Sequence, residues 1–118
     1  MKHLRPAADP DWRRFYGIEA PAYWSGLVFE DKHMILGIGG LYCDDECNWW
    51  AFLKRAPGVG CAFTAQRAAL ITLNAGIEAG LTIHAIADPA IVGSAKWLRR
   101  LGFEETSETV KGFNKWIR

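Results

Sequence analysis

The chain has 118 residues, of which half are apolar and 23% are charged, and its formal net charge is +1. This length predicts one domain over residues 1–118 with its own hydrophobic core. The small net charge argues against a general attraction to nucleic acid or membrane, and no apolar run is long enough to span a bilayer. The three cysteines lack the spacing of a disulfide framework or a zinc site, so we expect reduced thiols, no metal and a cytoplasmic location.

The first half of the chain predicts a short helix followed by an antiparallel meander. Leu4-Arg5 is a candidate first strand, and Asp9-Pro10 then starts a helix that Asp9 caps and Gly17 ends. Glycines 37, 39 and 40 weaken a strand, but they allow another backbone or a ligand to come close. Three strands with polar turns between them are predicted at Ala22–Glu30, Met34–Tyr42 and Asn48–Leu53.

The second half alternates helices with strands. A long helix over residues 60–79 ends at Gly80, and a helix beginning at Asp88-Pro89 ends at Gly102. Three further strands are predicted at Leu81–Ile86, Phe103–Thr106 and Phe113–Ile117. The element order is β-α-β-β-β-α-β-α-β-β, which indicates an α/β (α+β) domain with mixed strand pairing.

A glycine-containing loop, Arg55-Ala56-Pro57-Gly58-Val59-Gly60, lies between an apolar strand and the long helix. Backbone N–H groups at a helix N-terminus lack intrahelical partners, and the helix dipole there favours negative charge. The loop is therefore a candidate phosphate cradle, with Gly58 and Gly60 allowing close backbone approach and Arg55 offsetting phosphate charge.

Two segments together resemble the GNAT (Gcn5-related N-acetyltransferase) superfamily. Arg55-x-x-Gly58-x-Gly60 is similar to its Gln/Arg-x-x-Gly-x-Gly/Ala loop, and residues 94–103 are similar to its late helix ending in Leu-Gly-Phe. The resemblance implies a mostly antiparallel mixed sheet flanked by helices, acetyl-CoA as co-substrate and a primary amine as acceptor, with a homodimer and a compact, phage-associated type as further expectations. The cofactor-binding residues that it implies are Phe52, Leu53, Lys54, Arg55, Gly58, Val59, Gly60, Cys61 and Ser94.

The catalytic residues depart from the family pattern. Ile91 and Leu98 stand where the family commonly has an Asn and the Tyr that protonates the leaving thiolate, and the fourth strand carries no carboxylate. The base candidates are Glu46, otherwise a solvated turn residue, and His84, otherwise a core residue. Tyr23 and Tyr42 are candidate acids or ordinary packing residues. One of Trp49 and Trp50, which alternate faces, is expected in the core, while the other is a candidate wall of the acyl or acceptor pocket.

Two other functions remain open from the sequence. A GNAT-like binding or structural protein that has lost catalysis would account for the missing Tyr and Glu. A nucleic-acid binder would use the basic residues near the C-terminus, which otherwise form a solvated helix face. Cys61, at the start of the long helix, is either a small residue beside a phosphate or an acylated thiol without an evident His partner.

Overall fold

The structure, a computed structural model, describes residues 2–32, 34–55, 62–87 and 94–118. Its elements confirm the predicted order. They are β1 (Lys2–Pro6), α1 (Asp9–Tyr16), β2 (Trp24–Asp31), β3 (Met34–Cys43), β4 (Trp49–Arg55), α2 (Ala62–Glu78), β5 (Ile83–Ile86), α3 (Ser94–Arg100), β6 (Glu104–Val110) and β7 (Phe113–Ile117).

The seven strands of the described residues belong to one sheet, in the order β1-β2-β3-β4-β5-β7-β6. Every neighbouring pair is antiparallel except β4 and β5, which are parallel. The expected mostly antiparallel mixed sheet is thus confirmed. Helix α2 makes the crossover between β4 and β5, and it packs on the sheet against β2, β3 and β5.

Several predicted boundaries were wrong by a few residues. β5 begins at Ile83, not Leu81, and β2 begins at Trp24, not Ala22. β6 continues to Val110, well past the predicted end at Thr106, because its pairing with β7 resumes at Thr109 after an irregularity. Polar residues on this edge strand hide the alternation from which a strand is predicted. The predicted helix start at Asp88-Pro89 lies outside the described residues.

The start of α1 corrects the predicted cap. The N-cap residue is Ala8, which has no side-chain oxygen, and Asp9 is already helical. The Asp9 carboxylate instead accepts a hydrogen bond from Trp24 Nε1 at 2.8 Å. Asp11 supplies the missing cap interaction, since its Oδ2 accepts the Ala8 N–H at 2.9 Å. Gly17 ends the helix in the left-handed region at φ 71°, as predicted.

The Leu-Gly-Phe sequence that ends α3 forms a Schellman motif. Phe103 N donates to the Leu98 carbonyl and Gly102 N to the Arg99 carbonyl, each at 3.0 Å. Gly102 has φ 90°, and Gly80 ends α2 in the same way with φ 86°. Both predicted helix stops are confirmed, and α3 passes directly into β6 with Phe103 buried.

Apolar side chains cover both faces of the sheet. On the α1 face, aromatic rings from α1, β2, β3 and β4 pack together with centroids 4.6–6.2 Å apart. We call this group the aromatic cluster: Trp12, Tyr16, Trp24, Tyr42 and Phe52. The opposite face carries the main core under α2 and α3: Leu41, Leu73, Ile83, Ala85, Leu98, Leu101, Phe103 and Trp116. Over the described ranges, no helix is long and apolar enough to cross a bilayer.

Candidate functional site

The parallel strands β4 and β5 remain paired for only two positions. Trp49 lies in register with Ile83 and Trp50 with His84, and no pairing beyond these two is found among the described residues. On its other side β4 stays paired with β3 as far as Arg55. The two strands therefore separate after Trp50. We call the opening between residues 51–55 of β4 and residues 85–86 of β5 the splay.

Three ring-bearing residues lie side by side on the α1 face at the closed end of the splay. Tyr42 is in register with Trp50, and Trp50 with His84, so all three side chains project from the same face of the sheet. The Trp50 and His84 ring centroids are 5.2 Å apart, with a 40° angle between the planes. Trp49 projects from the other face and packs against the main core. The expected division of the two tryptophans between faces is confirmed.

The turn between β3 and β4 is organised around the Asp44 carboxylate. Its Oδ1 accepts the backbone N–H groups of Glu46 and Asn48, each at 2.9 Å. Its Oδ2 accepts Trp50 Nε1 at 2.8 Å. The Asn48 N–H and the Trp50 indole are the main causes that lower the pKa of Asp44, so the carboxylate is ionised near neutral pH.

His84 is half-buried, and its Nδ1 is buried without a hydrogen-bond partner among the described residues. Burial is the main cause that lowers the pKa of His84 from its ordinary value of 6.5. Lys115 on β7 lowers this pKa further, while Asp44 and Glu108 act in the opposite direction. The imidazole is therefore neutral at pH 7, in the form that accepts a proton.

The other candidate acids and bases differ in their placement. Glu46 is exposed in the β3–β4 turn, and its backbone N–H binds Asp44. Tyr42 is partly buried, and burial raises its pKa, so its phenol stays protonated. Tyr23 is 71% exposed and precedes β2. Of the two tyrosines, Tyr42 is thus the one in the row with Trp50 and His84.

Four of the expected cofactor residues lie on β4. Phe52 belongs to the aromatic cluster, and Leu53 points to the opposite face with 40% exposure. Lys54 Nζ donates to the Phe15 carbonyl at 2.9 Å and lies 5.0 Å above the Tyr16 ring, so this ammonium group holds the end of α1. Arg55 is the last residue of β4 and pairs with Gly37.

The remaining expected cofactor residues can be placed only in part. Ser94 is the first residue of α3. Gly58, Val59, Gly60 and Cys61, which carry the predicted phosphate cradle, lie outside the described residues, as does Ile91. Leu98, at the position of the expected Tyr, is 6% exposed within the main core. A packing residue therefore occupies that position.

The similarity of this chain to known proteins lies in its three-dimensional fold. No family model matches the chain, and no curated protein does. Among solved structures, a protein from Bordetella pertussis assigned to the GNAT acetyltransferases aligns with TM-score 0.62 and 16% identity, over 93% of this chain and 69% of that one. The ribosomal-protein-S18-alanine N-acetyltransferase from Escherichia coli aligns with TM-score 0.66 and 9% identity, over 99% of this chain and 90% of that one. The fold is GNAT-like.

A third neighbour has a similar fold and was solved with CoA. It is an acetyltransferase from Bacillus subtilis, with TM-score 0.64 and 8% identity over 99% of this chain and 97% of that one. The expected fold is therefore confirmed over nearly the whole chain. At such low identities the likeness concerns the fold alone, and the chemistry of the site must be argued from its own residues.

Proposed function

We propose that this chain is an N-acetyltransferase that moves the acetyl group of acetyl-CoA directly to a primary amine of a small molecule or a protein, in the cytoplasm. The observation that carries the proposal is the separation of β4 from β5 after Trp50 within a GNAT-like sheet. This opening exposes the edge of a strand in the interior of the sheet, where strand neighbours normally satisfy both edges.

The edge of β4 fits the extended amide chain of CoA. Backbone N–H and C=O groups of residues 51–55 that face the splay can pair with amides, as another strand would. Phe52, Leu53 and Lys54 would contribute this backbone, since the side chains of Phe52 and Lys54 are engaged elsewhere. Arg55, Gly58, Val59, Gly60 and Cys61 would hold the pyrophosphate, and Ser94 would approach from α3.

Acetyl-CoA supplies an acyl group already activated as a thioester, so placing the amine beside it does much of the work. A backbone N–H on the β4 edge would stabilise the negative charge that develops on the carbonyl oxygen. His84 is the base that we favour, because it is neutral and lies at the closed end of the splay, and Glu46 is second. Tyr42 would return a proton to the thiolate.

Calorimetry with CoA and acetyl-CoA tests the proposal. We expect binding by the wild type, loss of binding in Gly60→Trp, and normal binding in the control Ala79→Trp, which adds the same indole to an exposed position just after the C-terminal end of α2. A folded wild-type sample that binds neither ligand at roughly millimolar concentration would refute it.

A catalytically weakened GNAT-like binding or structural protein, of a compact phage type, is the second candidate. The observation that favours it is the buried Leu98 in place of the expected Tyr, together with a β4 that carries no carboxylate. An assay of acetylation over a panel of amines and proteins separates the two candidates. Turnover that disappears in Gly60→Trp excludes the binding-only function.

A further inference from the structure

We infer that Asp44 is the positioning residue that holds the Trp50 indole against His84 at the closed end of the splay. The catalytic consequence of this inference rests on the proposed function, whereas the positioning itself does not. The sequence places Asp44 in an acidic turn with Asp45 and Glu46, and nothing in that pattern distinguishes it from its neighbours.

The Asp44 carboxylate is fixed from both sides. Three N–H donors hold its two oxygens, two from the backbone of its own turn and one from Trp50. The turn is closed by two further backbone bonds, from Asp44 N to the Asn48 carbonyl at 2.9 Å and from Cys47 N to the Asp44 carbonyl at 3.0 Å. Because these hydrogen bonds fix the Asp44 carboxylate, its Oδ2 points in one direction, toward the Trp50 indole.

Trp50 is in turn restrained at its backbone and at its indole. Its backbone lies between Tyr42 of β3 and His84 of β5, at the last position where β4 has neighbours on both sides. Its indole N–H is directed to Asp44 Oδ2, so the ring has a defined orientation with its centroid 5.2 Å from that of His84. Without the bond to Asp44, no indole hydrogen bond among the described residues would fix the orientation of the ring beside His84.

This arrangement gives Asp44 a specific role in the proposed reaction. The Trp50 ring forms a wall beside the base candidate His84, so an amine that gives its proton to His84 has to come close to this ring. The edge of β4 proposed for CoA starts one residue later and does not involve Asp44. Loss of Asp44 should therefore weaken use of the amine and leave the binding of CoA unchanged.

The test compares Asp44→Asn with Asp45→Asn, which removes the same charge from the next, exposed residue. In Asp44→Asn the amide can still accept the backbone bonds, but its NH₂ group then opposes the indole N–H. By NMR of the full chain, we expect the Trp50 indole N–H to exchange with solvent about tenfold faster, because one charge-assisted hydrogen bond is lost. The His84 ring protons should also lose the ring-current shift that Trp50 imposes, as in Trp50→Ala.

Asp45→Asn should leave both signals unchanged. Unchanged His84 signals in Asp44→Asn, or equal changes in both variants, would overturn the inference.

In the acetylation assay, Asp44→Asn should raise the KM for the amine by about tenfold and leave the KM for acetyl-CoA within about twofold. Equal changes in both constants would also overturn the inference. A wild type that neither binds CoA nor acetylates refutes the proposed function, and the NMR signals then decide the positioning alone.

Discussion

Gly40 lies directly opposite Gly26 in the β2–β3 pair, and neither position has room for a side chain. A Cβ at Gly40 would overlap the Ser25 carbonyl oxygen, and one at Gly26 would lie 2.5 Å from the Gly39 carbonyl oxygen and 3.4 Å from the Phe52 ring. The glycines thus let two backbones and an aromatic ring come close, as the glycines of β3 predicted.

Gly40→Ala should therefore destabilise the protein. The obstacle is backbone, which cannot rotate away, so we expect a loss of about 2 kcal/mol in the free energy of unfolding. Urea denaturation measures it, with Ser25→Ala as the control at an exposed neighbouring position. A midpoint for Gly40→Ala equal to that of the control would contradict the close approach of the strands.

Arg5 connects α1 to the sheet through two carboxylates. Its guanidinium binds both Asp11 oxygens at 2.9 Å and Glu30 Oε2 at 3.0 Å, and Asp11 is buried. Arg5→Ala should lower the free energy of unfolding by about 2 kcal/mol. This is less than the loss on breaking a fully buried ion pair, because the Arg5 side chain is 35% exposed. Arg13→Ala is the control, because its 3.8 Å pair with Glu19 is solvent-exposed and should contribute about 0.5 kcal/mol or less.

The Arg5 contribution should also depend on pH. The hydrogen bonds from Arg5 are the main cause that lowers the pKa of Asp11 below its ordinary 3.8. A depressed folded-state pKa stabilises the protein above the unfolded value, and this contribution is lost as the pH falls through the folded value. The difference in the free energy of unfolding between wild type and Arg5→Ala should therefore shrink as the pH is lowered below 3.8. A constant difference would show that Arg5 acts by packing alone.

His84 gives a second prediction on pH. Because burial lowers its pKa below 6.5, the unfolded state binds the proton more readily. Above pH 6.5 the shift of His84 therefore does not change the free energy of unfolding. As the pH falls from 6.5 toward the pKa of His84 in the folded state, it lowers this free energy progressively. His84→Gln should flatten this part of the stability curve. NMR titration should give a midpoint below 6.5 for His84, and a midpoint above it would contradict the burial effect.

The two Schellman glycines provide a matched pair. A Cβ at Gly80 would meet nothing within 4 Å, so Gly80→Ala carries only the cost of its left-handed backbone, about 1 kcal/mol. A Cβ at Gly102 would lie 3.0 Å from Arg118 Nε and would displace a guanidinium that binds Asn74 Oδ1 at 2.8 Å. Denaturation should show Gly102→Ala to be the more destabilised variant. Equal losses would show that Arg118 moves aside without cost.

Features encoded by neighbouring residues could be predicted from the sequence, and those that depend on distant contacts could not. The glycine stops of the helices and the order of the elements are local properties, and both are confirmed. The cap at Ala8 could not be predicted, because Asp9 is drawn to Trp24, fifteen positions along the chain. The sequence does not distinguish Asp44 from the other residues of its acidic turn, because its bond to the Trp50 indole depends on the fold.

The sheet order also constrains how the protein is made. β7 lies between β5 and β6, and its Trp116 pairs with Ala85 of β5 and is buried with Ile83 in the main core. While a ribosome is still synthesising residues 113–117, β5 has no neighbour on its β7 side, and the main core lacks Trp116. The nascent chain therefore carries an incomplete sheet until translation has passed this strand, and chaperones that recognise exposed apolar strands should engage it during that interval.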